Sequence, residues 1–151
     1  MELTLNNITE QRLAEIAQSI ASRLFPGAFI ALFGDLGAGK TAFARHAAKA
    51  LGIEDIQCPT FTIVREHDGS LPLFHFDCYR LEDEEELYAI GFDDYLARGG
   101  AIIMEWCERV PYALPPERLE LHIEGSGAMP RTLRFLPIGP QYENLLESIK
   151  C

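Results

Sequence analysis

The chain has 151 residues, enough for one domain over 1–151, with 48% hydrophobic and 24% charged residues, the balance of an ordinary globular protein. It carries 23 acidic against 13 basic residues, a net charge of −10 with no Lys/Arg run, which excludes a surface built to grip nucleic acid phosphates. No apolar run reaches the ~18 residues of a membrane span.

The start, Met1-Glu2-Leu3-Thr4-Leu5, lacks the basic residues and apolar stretch of a signal peptide, so a cytoplasmic chain with no membrane partner is expected. Leu3 and Leu5 alternate with polar neighbours and predict a short opening strand. Asn7 or Thr9 then caps a helix whose apolar face is Leu13, Ile16, Ala17, Ile20, Ala21 and Leu24. Pro26-Gly27 stops it, and the uncharged run from Ala28 to Phe33 predicts a strand buried on both faces. A glycine-rich turn follows, then an alanine-rich helix from Lys40 to Leu51, closed by Gly52. Strands are predicted at Phe61–Val64 and Leu73–Tyr79, with a turn at Asp68-Gly69. The acids Glu82 to Glu86 suit the first turn of a helix holding Leu87, Tyr88 and Ile90, or a docking patch for a basic partner. Ala101–Met104 is a second wholly apolar strand. Leu119, Leu121 and Ile123 alternate with polar residues, Gly125-Ser126-Gly127 turns the chain, and Leu133 and Phe135 return it. Leu145, Leu146 and Ile149 suit a short closing helix. The predicted fold is α/β, a P-loop NTPase-like mixed β-sheet flanked by helices, with a C-terminal antiparallel hairpin. None of the four cysteines, Cys58, Cys78, Cys107 and Cys151, is spaced as C-x-x-C, so reduced thiols are expected and a zinc site is not.

The turn after the first buried strand, Gly34-Asp35-Leu36-Gly37-Ala38-Gly39-Lys40-Thr41, matches G-x-x-x-x-G-K-[ST] in full and opens a helix. Its glycines allow backbone angles that aim successive N–H groups at an anion, and the helix adds its positive end. Lys40 can reach the β- and γ-phosphates, and Thr41 offers a hydroxyl to magnesium. Neither is expected in the core. ATP and Mg2+ are the expected ligands. Such a site also needs an acid at the end of a buried strand, and Asp77 and Glu105 both stand at one. Thr60 and Thr62 stand where a threonine sensing the γ-phosphate would sit, or are strand threonines. His75 shares a strand face with Asp77 and reads first as a structural histidine, Trp106 as core, and Arg131 as an exposed arginine.

With these segments in order, the chain resembles the TsaE (YjeE) family. The resemblance rests on Gly34 to Thr41, Cys58-Pro59-Thr60-Phe61-Thr62, His75-Phe76-Asp77-Cys78-Tyr79-Arg80-Leu81, Glu85-Glu86-Leu87, Ile90-Gly91-Phe92-Asp93-Asp94-Tyr95 and Glu105-Trp106. Cys58 and Cys78 stand where the family usually has Ser and Leu. The resemblance implies an ATPase of the tRNA threonylcarbamoyladenosine pathway that works with TsaB and TsaD, with tRNA met only through that complex. It implies Lys40, Asp77 and Glu105 as catalytic, with Thr41 and Glu105 on magnesium and Asp77 by the γ-phosphate. It also implies a nucleotide-binding set made of Thr9 and positions 35 to 42, with Glu108 and Arg131 at the nucleotide's edge. The alternative is a P-loop small-molecule kinase, disfavoured because no arginine cluster suited to a phosphate lid is visible. A GTPase is disfavoured by the lack of N-K-x-D and D-x-x-G, and a non-hydrolysing ATP sensor stays open because no arginine finger is identifiable.

Overall fold

A strand with no polar residue needs cover on both faces, and the Ala28–Phe33 run is placed where it gets it. The computed structural model describes residues 2–35, 37–54, 63–147 and 149. Along them run β1 (Leu3–Ile8), α1 (Glu10–Ala21), β2 (Phe29–Phe33), α2 (Lys40–Ala50), β3 (Val64–His67), β4 (Leu73–Asp77) and α3 (Glu84–Ala89). α4 (Phe92–Ala97), β5 (Ala101–Glu105), two single 3-10 turns at Cys107–Arg109 and Pro111–Ala113, β6 (Arg118–Glu124), β7 (Arg131–Ile138) and α5 (Pro140–Glu147) complete them. Among the described residues, seven strands form one sheet in the order β1-β7-β6-β2-β5-β4-β3. Its middle is parallel: β2 pairs with β5 and β6, and β4 with β5. Its edges are antiparallel, β3 on β4 at one side and β6-β7-β1 at the other. The sheet is mixed, with helices on both faces, as the order of sequence elements predicts.

β2 feeds two core layers. Ile30 and Leu32 pack with α1, α2 and α5, through Ile16, Ile20, Phe43, Ala47 and Leu146. Phe29 and Ala31 face the other layer, with Phe76, Met104, Leu87 and Phe92. Alternation along a strand sends successive side chains to opposite faces, so an all-apolar strand is the signature of this sandwiched position. Thr9 starts α1 as a true cap, its Oγ1 accepting from the Arg12 amide at 3.2 Å. The hydroxyl of Tyr142, on α5, accepts from the Phe29 amide at 3.0 Å and so ties the chain's last helix to the first residue of β2.

Three local differences from the sequence reading have physical causes. β3 falls at Val64–His67, one residue overlapping the predicted strand; Phe61 and Thr62 lie outside the described residues. It is an edge strand, so polar Arg65, Glu66 and His67 are tolerated there and mask its pattern. The predicted strand through Tyr79 stops at Asp77, because the Asp77 carboxylate takes the Tyr79 amide at 3.0 Å and turns the chain out of the sheet. α4 has no counterpart in the apolar periodicity; it is only six residues long and starts at Gly91, whose φ of 90° breaks it from α3. The acids before α3 are spent on starting it: Asp83 accepts from the Glu86 amide, and Glu86 accepts from the Glu82 amide.

Candidate functional site

The site assembles where β2 ends and the chain must turn into α2. β6 runs so close behind that turn that a Cβ on Gly34 would lie 2.7 Å from the carbonyl oxygen of Ile123, so only glycine fits. Gly37 and Gly39 take left-handed φ values of 82° and 115°, and α2 starts without a side-chain cap. The first amides of an uncapped helix are free to meet an anion. Of the loop residues in the sequence motif, Asp35, Gly37, Ala38, Gly39, Lys40 and Thr41 are described, and Leu36 lies outside the described residues. Position 42, counted with the nucleotide-binding set, is Ala42 and offers a methyl group but no hydroxyl.

Contrary to the sequence expectation, Lys40 is buried, with only 4% of its surface exposed. Its ammonium donates to the Gly34 carbonyl at 2.5 Å and to the Asp35 carbonyl at 2.9 Å, and lies 4.0 Å from the centre of the Trp106 ring. Burial pulls its pKa down, while the negative charges of Glu108, Glu105, Asp77 and Asp35 oppose that shift.

Parallel pairing of β4 with β5 sets Asp77 directly beside Glu105. Glu105, 2% exposed, uses both oxygens: Oε1 accepts from the Thr41 hydroxyl at 2.8 Å, and Oε2 meets Nε2 of His75 at 2.5 Å. The Asp77 carboxyl is pushed up chiefly by burial, against the pull of the Tyr79 amide. Thr41 and Glu105 are two hard oxygen donors, the chemistry that magnesium takes alongside water and phosphate oxygens, so these residues fit that ion. Among the described residues no three His, Cys, Asp or Glu side chains gather as a self-contained metal cage.

Trp106, next in sequence, has φ 59° and ψ 44°, a left-handed conformation that costs a bulky residue about 1–3 kcal/mol. Its ring is half-buried, packs on Tyr79 with centroids 4.9 Å apart and forms the floor under Lys40. Glu108 sits at the base of the loop, accepting from the Gly34 amide at 3.2 Å.

On the other side of the loop lies a cavity of about 400 Å³, lined by Thr9, Leu13, Gly39, Ala42, Met129 and Arg131 among others. Its volume falls in the ordinary range for small-molecule sites, roughly 300–1,000 Å³. Arg131 is not the free surface arginine of the sequence reading. Its Nε donates to the Ala38 carbonyl at 2.7 Å, and Nη2 to the Gly37 carbonyl at 3.2 Å and the Gly127 carbonyl at 3.0 Å. Nη1 adds the Met129 carbonyl. One guanidinium thus clasps the phosphate-type loop to the β6–β7 turn.

The structure therefore brings Lys40, Thr41, Asp77, Glu105, His75 and Trp106 together, with Thr9 and Arg131 at the neighbouring cavity. Thr60 and Thr62, with Cys58, Pro59 and Phe61, lie outside the described residues. The direct His75–Glu105 bond and the Arg131 clasp are what sequence reasoning missed. Period-two alternation places His75 on the face of Asp77, but only the register with β5 reveals Glu105 as its partner.

The family model described as "Threonylcarbamoyl adenosine biosynthesis protein TsaE" matches residues 8–133 of this chain. The chain belongs to the TsaE family. The TsaE protein of Bacillus subtilis is 40% identical over 150 residues, spanning 98% of this chain and 94% of its own length. The TsaE protein of Rickettsia felis is 38% identical over 125 residues, spanning 81% of this chain and 71% of its own. The crystal structure of Bacillus subtilis YdiB superposes with a TM-score of 0.83 at 36% identity, covering 99% of this chain and 94% of that one. The fold of this chain thus agrees with that of YdiB over nearly its whole length.

Proposed function

We propose that this TsaE protein binds ATP with magnesium and hydrolyses it, as an accessory subunit that works with TsaB and TsaD in forming threonylcarbamoyladenosine on tRNA. The observation that carries the reading is the 2.8 Å bond from Thr41, the last residue of the G-x-x-x-x-G-K-[ST] loop, to Glu105 at the carboxyl end of the adjacent strand. A hydroxyl and a carboxylate meeting at that point is the donor pair a phosphate-bound magnesium needs.

The loop amides and the start of α2 would hold the phosphate chain, and the cavity between Thr9 and Arg131 would take the rest of the nucleotide. Lys40 is held by two neutral carbonyls, and a phosphate oxygen is a stronger acceptor for its ammonium than either. Magnesium, when bound through Thr41 and Glu105, supplies positive charge against the phosphate oxygens as negative charge shifts between them. Asp77 commits Oδ1 to the Tyr79 amide and keeps its other oxygen to orient a water. Two acids and one lysine hold and align; an arginine delivered by a partner could add ~10³–10⁵ in rate. With a net charge of −10, the chain would meet tRNA through its partners rather than directly. We place it in the cytoplasm; among the described residues no helix is long and apolar enough to cross a membrane.

The test is phosphate release by the protein alone, then with TsaB and TsaD, then with tRNA added, beside a gel shift with tRNA at physiological salt. Slow release that rises with the partners, and weak tRNA binding by the protein alone, is the expected result. Full hydrolysis that partners leave unchanged, or transfer of phosphate to a small molecule, would overturn it.

A further inference from the structure

The bond between His75 and Glu105 is a buried contact that the proposed function does not use. His75 lies in the middle of β4, is fully buried, and does not line the cavity beside the glycine loop. Its Nε2 is 2.5 Å from Oε2 of Glu105, and its Nδ1 has no hydrogen-bond partner among the described residues. In β4 it stands two residues before Asp77, and in the β4–β5 register it lies opposite Ile103, two residues before Glu105. The ring therefore reaches along the strand to the Glu105 carboxylate from below, while Thr41 reaches the same carboxylate from α2. Two lone pairs cannot face each other at that distance, so one proton lies between Nε2 and Oε2.

We propose that His75 is a positioning residue for Glu105: its Nε2–H clamps Oε2, so that Oε1 stays turned toward Thr41 and the glycine loop. The proposal rests on the reading of Glu105 as a metal-holding residue. A glutamate carboxylate on a free Cγ–Cδ bond rotates, and one held by a buried ring keeps a single orientation. Outer partners of this kind set the orientation and basicity of the ligand they hold, and their loss costs about 10- to 100-fold in metal affinity or activity. A histidine retained only to fill the core would leave the magnesium dependence untouched.

The test uses the whole chain and three variants: His75→Met, of similar bulk without a donor; His75→Gln, which restores an N–H at similar reach; and Glu105→Gln. ATP binding is measured by calorimetry in EDTA and across a magnesium titration. His75→Met should need about 10- to 100-fold more magnesium for half of its effect on ATP affinity, with the EDTA affinity within about threefold of wild type. His75→Gln should return most of the loss. An equal fall in EDTA and in magnesium, an unchanged magnesium dependence, or a glutamine variant as weak as the methionine one would overturn the proposal. If Glu105→Gln shifts the magnesium dependence and His75→Met does not, only the role of His75 falls. If neither shifts it, the metal reading of Glu105 falls and takes this one with it. An independent check needs no variant: long-range proton–nitrogen NMR of the imidazoles in the nucleotide-free protein should show the His75 proton on Nε2. A ring protonated only on Nδ1 would refute the clamp.

Discussion

Replacing Arg131 by Met keeps an unbranched apolar stem and removes the guanidinium fork. Four carbonyl bonds go with it: to Ala38 and Gly37 on the glycine loop, and to Gly127 and Met129 on the β6–β7 turn. A hydrogen bond of this sort contributes about 1 kcal/mol net, and less where water competes, so the clasp as a whole is worth about 2–3 kcal/mol. Most of that energy does not hold the global fold, since both tethered segments are loops. It holds the glycine loop in the conformation that would receive phosphate on the proposed reading. Losing about 1.4–2.8 kcal/mol of loop order lowers the binding-competent fraction, and with it the apparent affinity, by about 10- to 100-fold. Global stability in urea should fall by only about 1 kcal/mol, because β2 and α2 stay packed in the core. Arg131→Lys should recover little, since one ammonium cannot span both loops. The assay is calorimetric titration with ATP beside urea unfolding. An Arg131→Met variant that binds within twofold of wild type would refute the clasp, as would an affinity loss fully accounted for by unfolded protein.

Other consequences are measurable on the same footing. Lys40→Met and Thr41→Ala should each weaken magnesium–ATP binding at least about tenfold with melting temperatures within a few degrees of wild type, because a charge-assisted phosphate contact and a metal donor are lost while the core layers are intact; unchanged affinity in both would remove the site from this loop. Glu105→Ala and Asp77→Ala should lower partner-stimulated turnover by about 10²-fold or more, a larger loss than either causes in ATP affinity, since charge developing in the transition state feels them most; phosphate release and calorimetry together decide it. Gly34→Ala should destabilise the protein by about 2–4 kcal/mol in urea, as the new Cβ meets the Ile123 carbonyl at a φ of 152°; wild-type stability would show that β6 does not pack there. Burial pushes the Cys78 thiol up to about 12, so site-resolved alkylation at pH 8 should spare it in the native protein and reach it only after denaturation. Its linkage has a definite sign: the unfolded thiol ionises near 9.0 and the folded one near 12, so stability should fall as pH rises through that window and Cys78→Ser should flatten the slope.

What the sequence makes legible follows from how far apart the cooperating residues lie. The glycine loop is read at once because its parts are contiguous and each has one task. The β2 and β5 runs are read because burial on both faces strips them of every polar residue but the terminal Glu105. Thr9 is read because a cap announces itself within three residues. The Arg131 clasp spans from Gly37 to Arg131 and depends on β6 lying beside β2, a pairing that no local pattern encodes. His75 needed the register of two strands far apart in the chain. Lys40 looked solvent-facing because lysines generally are; here its ammonium rests on the ring of Trp106, which sits in a left-handed turn. α4 stayed invisible because six residues after a glycine are too few for a helical period to declare itself, although Phe92 anchors the core edge-on to Phe29 and Phe76.

The cavity beside the glycine loop is walled by Thr9 and Leu13 near one end of the chain and by Gly127 to Arg131 near the other. β1 reaches that wall only by pairing with β7, and β2 is enclosed only when β6 arrives on its second side. A polypeptide leaving the ribosome therefore carries the whole glycine motif long before it owns a pocket. Until the closing hairpin is synthesised, the loop has no clasp and the first strand no neighbour. On the proposed reading, competence to hold a nucleotide would come last in the life of the nascent chain, and a prematurely terminated fragment, though it bears the signature residues, would hold ligand more weakly than the finished protein.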